Sequence, residues 1–139
     1  MNHYCYEDIQ IGQSEQFCVT ITPEKMEQFR MMTSDDNPLH TSNEYAVAHG
    51  YSGKICYGLL TASMLSTLAG VYLPGEKSLI HSVNINFVKP VLENEQLTVK
   101  GTVTAKNDTF QYITLKVEIF SENAGKVLRG VMTVGVRNA

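Results

Sequence analysis

From Ile55 to Gly75 the chain carries no charged residue. A run of about 20 such residues is the length at which a helix crosses a bilayer. Here it contains Thr61, Ser63, Ser66 and Thr67, it is broken by Pro74-Gly75, and no basic cluster flanks it. Membrane helices lack that many polar groups and carry such flanks. The stretch is therefore expected to be a buried helix over Gly58–Leu73, ~24 Å long at 1.5 Å per residue. A helix that is apolar all round is buried on most sides. The rest of the chain must supply its cover. The chain has 139 residues, the size of one domain.

The cover can be read from a change of period. After Pro74-Gly75, Val83, Ile85 and Phe87 alternate with Ser82, Asn84 and Asn86. Leu97, Val99, Val103 and Ala105 alternate with Thr98, Lys100, Thr102 and Lys106. Ile113, Leu115, Val117 and Ile119 do the same, as do Leu128, Met132, Val134 and Val136. Period-two runs separated by Asn107-Asp108 and Glu122-Asn123-Ala124-Gly125 predict half-buried antiparallel strands joined by short turns. The front half reads differently. Glu15–Ile21 is expected as a first strand. Thr22-Pro23 starts a helix, with a hydroxyl cap and proline at the first position. Met26, Phe29 and Met32 give it one apolar face, and it ends near Thr33–Ser34. A short helix follows over Asn43–His49, capped by Thr41 or Ser42, and Tyr51–Tyr57 is loop. The fold class is thus α+β: an antiparallel sheet wrapped around one long helix.

The net charge of −3 argues against a basic nucleic-acid-binding surface. Cys5, Cys18 and Cys56 are odd in number and show no CxxC pattern, which predicts neither a disulfide framework nor a zinc knuckle. With no signal peptide in the first residues, a cytoplasmic protein is expected. His3, His40, His49 and His81 lack the spacing of a zinc site. His49 is expected to be a solvated surface residue and His81 a structural one. Cys56 is expected to be a small buried apolar residue.

Two stretches can carry chemistry. Ser34-Asp35-Asp36-Asn37-Pro38-Leu39-His40 sets a carboxylate and an imidazole on one turn after a helix. Such a pair can exchange a proton with a shared water near neutral pH. The same residues are also ordinary turn formers, with Asp35 as a cap and His40 as a loop histidine. The second stretch is Cys56-Tyr57-Gly58-Leu59-Leu60-Thr61. Gly58 opens the long helix, where free N–H groups and the positive end of the dipole can hold an oxyanion. A plain glycine cap is the alternative. Most of the helix hydroxyls are expected to bond back to carbonyls, although one of them could face a ligand.

The Asp-x-Asn-Pro-x-His element, then about twenty residues, then glycine at the head of a long apolar helix resembles the MaoC-like (R)-specific enoyl-CoA hydratases. Tyr6–Gly12, Leu73-Pro74-Gly75 and Asn86-Phe87-Val88-Lys89-Pro90-Val91 agree with the resemblance, which covers nearly the whole chain. It implies a hot dog fold over residues 1–139 as one domain, and a homodimer whose sheets join edge to edge. It implies reversible addition of water to a trans-2-enoyl thioester, carried by coenzyme A or an acyl carrier protein, to give the (R)-3-hydroxyacyl thioester. By the same resemblance Asp35 and His40 activate the water and the Gly58 N–H holds the thioester oxygen. Ser66 touches the acyl chain, Ala69 bears on pocket depth, and Asn37 and Pro38 shape the turn. No cofactor or metal is implied.

Two positions depart from the family pattern. Tyr57 stands where many members have histidine, so it is a candidate substrate-binding residue. Asp36 puts a second carboxylate beside Asp35. A hot dog thioesterase and a non-catalytic acyl-binding subunit are the alternatives. The first usually has a carboxylate on the central helix, and Gly58–Leu73 has none.

Overall fold

The computed structural model describes residues 1–138. The chain begins with a short 3₁₀ turn at Tyr6–Asp8 and strand β1, Ser14–Thr20. Helix α1, Pro23–Thr33, starts under the Thr22 hydroxyl, which accepts from the Lys25 N–H at 3.3 Å. It ends at Ser34, whose φ of 60° takes the backbone out of the helix. Two short helices follow, α2 at Pro38–Thr41 and α3 at Asn43–Ala48. The loop to Tyr57 then feeds helix α4, Gly58–Thr67, which runs on as a π-helical turn over Leu68–Tyr72. Strands β2 (Ser78–Phe87), β3 (Gln96–Asn107), β4 (Tyr112–Ser121) and β5 (Gly125–Val136) complete the chain.

All five strands form one antiparallel sheet in the order β1-β3-β4-β5-β2. The alternation read from the sequence is the alternation of burial. Leu97, Val99 and Val103 of β3, Ile113, Leu115, Val117 and Ile119 of β4, and Leu128, Met132 and Val134 of β5 are buried. They meet Leu60, Leu65, Leu68 and Ala69 of the helix in one core. Each buried Val, Leu, Ile or Met side chain among them contributes about 1.5–3 kcal/mol of transfer free energy. Gly101 leaves room for Leu68: a Cβ there would lie 2.9 Å from Leu68 Cδ2. This is the hot dog architecture, with the helix laid across the concave sheet.

The long helix is buried or half-buried at every position but Leu59, Ser63 and Ser66, which form one open stripe. Thr61, Leu65 and Leu68 lie on the opposite, buried face. Two expectations change. Strand β2 is not half-buried, because it is an edge strand paired only to β5. Val83 and Phe87 are about half exposed there, and of the apolar residues of β2 only Ile85 is drawn inward. Met32 does not join Met26 in the core. It lies in the last turn of α1, where a shallow groove opens between α1 and α4. Among the described residues no helix is long and apolar enough to cross a membrane.

Candidate active site

The turn after α1 is built from short-range hydrogen bonds. Asp35 Oδ1 accepts from the Asn37 N–H at 3.1 Å, and Asn37 Oδ1 accepts from the Leu39 N–H at 2.9 Å. The second bond caps α2, with Pro38 at its first position. The tight turn that results swings His40 back towards the loop before α4. There its Nδ1 donates to the Ile55 carbonyl at 2.7 Å. A carbonyl can only accept, so Nδ1 carries the proton and Nε2 of the neutral ring keeps its lone pair. That tautomer leaves Nε2 as the ring nitrogen able to accept.

Tyr57 fixes this arrangement from below. It is buried, and its hydroxyl donates to the backbone carbonyl of Asp35 at 2.6 Å. Its ring lies between Phe29 and His40, with centroids 4.8 and 4.2 Å away. Burial, and then the Asp35 charge, raise the pKa of the phenol, so it remains a hydrogen-bond donor. Asp36 turns the other way. Its carboxylate meets Arg30 at 2.8 Å, and Arg30 also holds Glu27 at 2.6 Å. The second carboxylate is thereby spoken for.

His40 lines two cavities. One is a polar cleft of about 270 Å³ with Glu27, Arg30, Lys54, Tyr57 and Glu93 on its walls. Its charges are paired off, Lys54 with Glu93 at 3.1 Å and Arg30 as above. The other is a mainly apolar cavity of about 320 Å³, in which His40 shares the wall with Gly58, Thr61, Phe87, Val91 and Val127. Gly58 heads α4. No side chain caps this helix, and no acidic residue lies in its first turn. The first intrahelical bond at this end runs from the Thr61 N–H to the Tyr57 carbonyl at 3.1 Å. The N–H groups before it lack helical acceptors and point to where an anion would sit. A Cβ on Gly58 would come within 3.2 Å of the Phe87 ring, so glycine lets that ring rest against the helix start.

The structure therefore brings His40 and Gly58 into one cavity, with Asp35 attached through Tyr57. The Asp35 side chain is exposed and lines neither cavity. Tyr57 lines the polar cleft and not the cavity that Gly58 shares with His40. Ser66 lies on the open face of α4, and Ala69 is fully buried in the core; neither lines a cavity at His40. Cys56 is buried, and its thiol is pushed up to about 12 by burial and then by Glu93 and Glu95. It stays protonated at neutral pH and is no nucleophile. His49 is exposed and stacks on Tyr45, and His81 is exposed on β2.

A family model described as "MaoC like domain" matches residues 8–124. The chain belongs to the MaoC-like domain family. Among characterised members, an (R)-specific enoyl-CoA hydratase of Rhodospirillum rubrum is 31% identical over 135 residues, covering 96% of this chain and 92% of that protein. An (R)-specific enoyl-CoA hydratase of Aeromonas caviae is 27% identical over 128 residues, covering 92% and 96%. The solved structure of the (R)-hydratase from A. caviae involved in PHA biosynthesis superposes with a TM-score of 0.90 at 26% identity, covering 94% of this chain and 98% of that one. The hot dog fold is thus that of its MaoC-like relatives, over nearly the full length of each.

The helix hydroxyls differ from expectation in one respect: among the described residues only Ser63 bonds back, to the Leu60 carbonyl at 2.6 Å. The hydroxyl that can face a ligand is that of Thr61, which is buried and has no partner among the described residues; the sequence does not single it out beyond placing it three residues after Gly58, on the same helix face.

Proposed function

We propose that the protein hydrates trans-2-enoyl-CoA thioesters reversibly to (R)-3-hydroxyacyl-CoA, with Asp35 and His40 handling the proton and the Gly58 N–H holding the thioester oxygen. The observation that carries this reading is the shared cavity: a histidine held as a base and an uncapped helix start face one mainly apolar space. In hydration the water oxygen bonds to carbon 3 as its proton passes to the Asp35/His40 pair. The electron pair of the double bond shifts onto the thioester oxygen, where the positive end of α4 stabilises it. As this enolate collapses, the pair returns the proton to carbon 2. One water is added, and no other reactant is needed. Asn37 and Pro38 shape the turn that presents His40.

The working unit is proposed to be a homodimer. Strand β2 leaves one edge unpaired, and Val83, Phe87, Val88 and Val131 expose apolar surface on and beside it. Such an edge is normally covered.

The test is the fate of crotonyl-CoA with purified protein. Loss of enoyl absorbance without release of free thiol is expected. Release of CoA without hydration would replace the reading with a thioesterase. Binding without either reaction would leave an acyl-binding subunit.

A further inference from the structure

The Thr61 hydroxyl is buried, makes no hydrogen bond, and belongs to a residue lining the cavity of His40 and Gly58. A threonine inside a helix usually satisfies its hydroxyl on a carbonyl one turn back. Thr61 does not, although its own N–H is bonded to the Tyr57 carbonyl at 3.1 Å. A buried hydroxyl left unpaired is destabilising, and such a group in a native fold calls for an explanation. Solvent does not reach the hydroxyl in the resting structure. A wall of the same cavity is the Phe87 ring, which is half-exposed and rests against Gly58.

We infer that Thr61 is a positioning residue whose hydroxyl holds the oxygen at carbon 3 of the substrate, the attacking water in one direction and the departing hydroxyl in the other. This rests on the hydratase reading. Thr61 lies about 4.5 Å beyond Gly58 along the helix axis. With the thioester oxygen at the Gly58 N–H and the acyl chain running inward, Thr61 is reached next, on the carbon-3 side. His40 takes one hydrogen of the water. The Thr61 oxygen accepts the hydrogen that the water keeps, which aims a lone pair at carbon 3. The same bond restrains the product hydroxyl in reverse, so it serves both directions.

The experiment compares Thr61→Val, which keeps the shape and removes the hydroxyl, with Thr61→Ser, which keeps the hydroxyl. For crotonyl-CoA hydration, Thr61→Val is expected to lower kcat about tenfold with KM little changed. Thr61→Ser should restore most of the rate. Thr61→Val should also raise the melting temperature, because an unpaired buried hydroxyl is gone; a purely structural threonine would lower it. Binding is read in parallel by calorimetry. (R)-3-hydroxybutyryl-CoA should bind Thr61→Val about tenfold more weakly than wild type, and butyryl-CoA equally well. Equal turnover by Thr61→Val, or equal weakening of both esters, would overturn the inference while leaving hydration intact. If wild type binds both esters but performs no hydration, the difference between the two esters still decides the role of Thr61. If it binds neither, the hydratase reading and this one fall together.

Discussion

Helices α1, α2 and α3 each begin under a side-chain oxygen, and helix α4 begins under none. Thr22, Asn37 and Ser42 accept from the N–H groups of Lys25, Leu39 and Tyr45 at 3.3, 2.9 and 3.1 Å. At the head of α4 stand the buried Tyr57, whose hydroxyl is committed to Asp35, and Gly58, which has no side chain. Capped starts are finished by the protein itself and serve stability. An uncapped start beside a cavity keeps its donors for a ligand. The same contrast recurs one turn further on, where Ser63 is bonded back and Thr61 is not.

The largest effects are expected at the base beside the uncapped start and in the turn that carries it. His40→Ala and Asp35→Asn should each lower enoyl-CoA hydration about a thousandfold, with circular dichroism unchanged. Full activity in either variant would remove that residue from the site. Tyr57→Phe should act at an intermediate level. It deletes the bond to the Asp35 carbonyl, leaving the His40 ring less well held, and should lower kcat about tenfold and stability by about 1 kcal/mol. A fall in stability without any fall in rate would make Tyr57 a core residue only. Thr22→Ala should cost about 1 kcal/mol in urea unfolding and leave kcat unchanged, as a capped start requires. The smallest effect concerns Cys56, beside the uncapped start. With its thiol raised to about 12, native protein at pH 8 should be alkylated by iodoacetamide at exposed Cys18 and not at Cys56. Unfolding in urea should make both react. Since the native thiol holds its proton more tightly than an unfolded one, its share of stability is present below about pH 8.5 and is lost as pH rises towards 12.

Local signals were legible and long-range ones were not. The Thr22-Pro23 start and the turn after Asp35 follow from residues within four positions of one another, and both stand where the sequence put them. The short helix α2 escaped notice because four residues leave no periodicity to read, even though Asn37-Pro38 is a cap followed by proline. The period-two runs gave the facing of β3, β4 and β5 correctly. For β2 they misled, since alternation tells which side chains share a face and not whether anything covers it. The contacts that assemble the site join Tyr57 to Asp35 and His40 to Ile55, across 22 and 15 positions. No local pattern announces such bonds. The resemblance pointed to Asp35, His40 and Gly58 through a motif, and the geometry adds why His40 holds its lone pair on Nε2.

The most direct test of the contrast between capped and uncapped starts is an NMR titration of ¹⁵N-labelled protein with butyryl-CoA, a saturated thioester that cannot react. A downfield shift of the Gly58 amide proton is expected as the thioester oxygen seats, with the Lys25, Leu39 and Tyr45 amides at the capped starts unmoved. A Gly58 amide that stays in place while the ligand saturates its site would contradict the oxyanion role of α4.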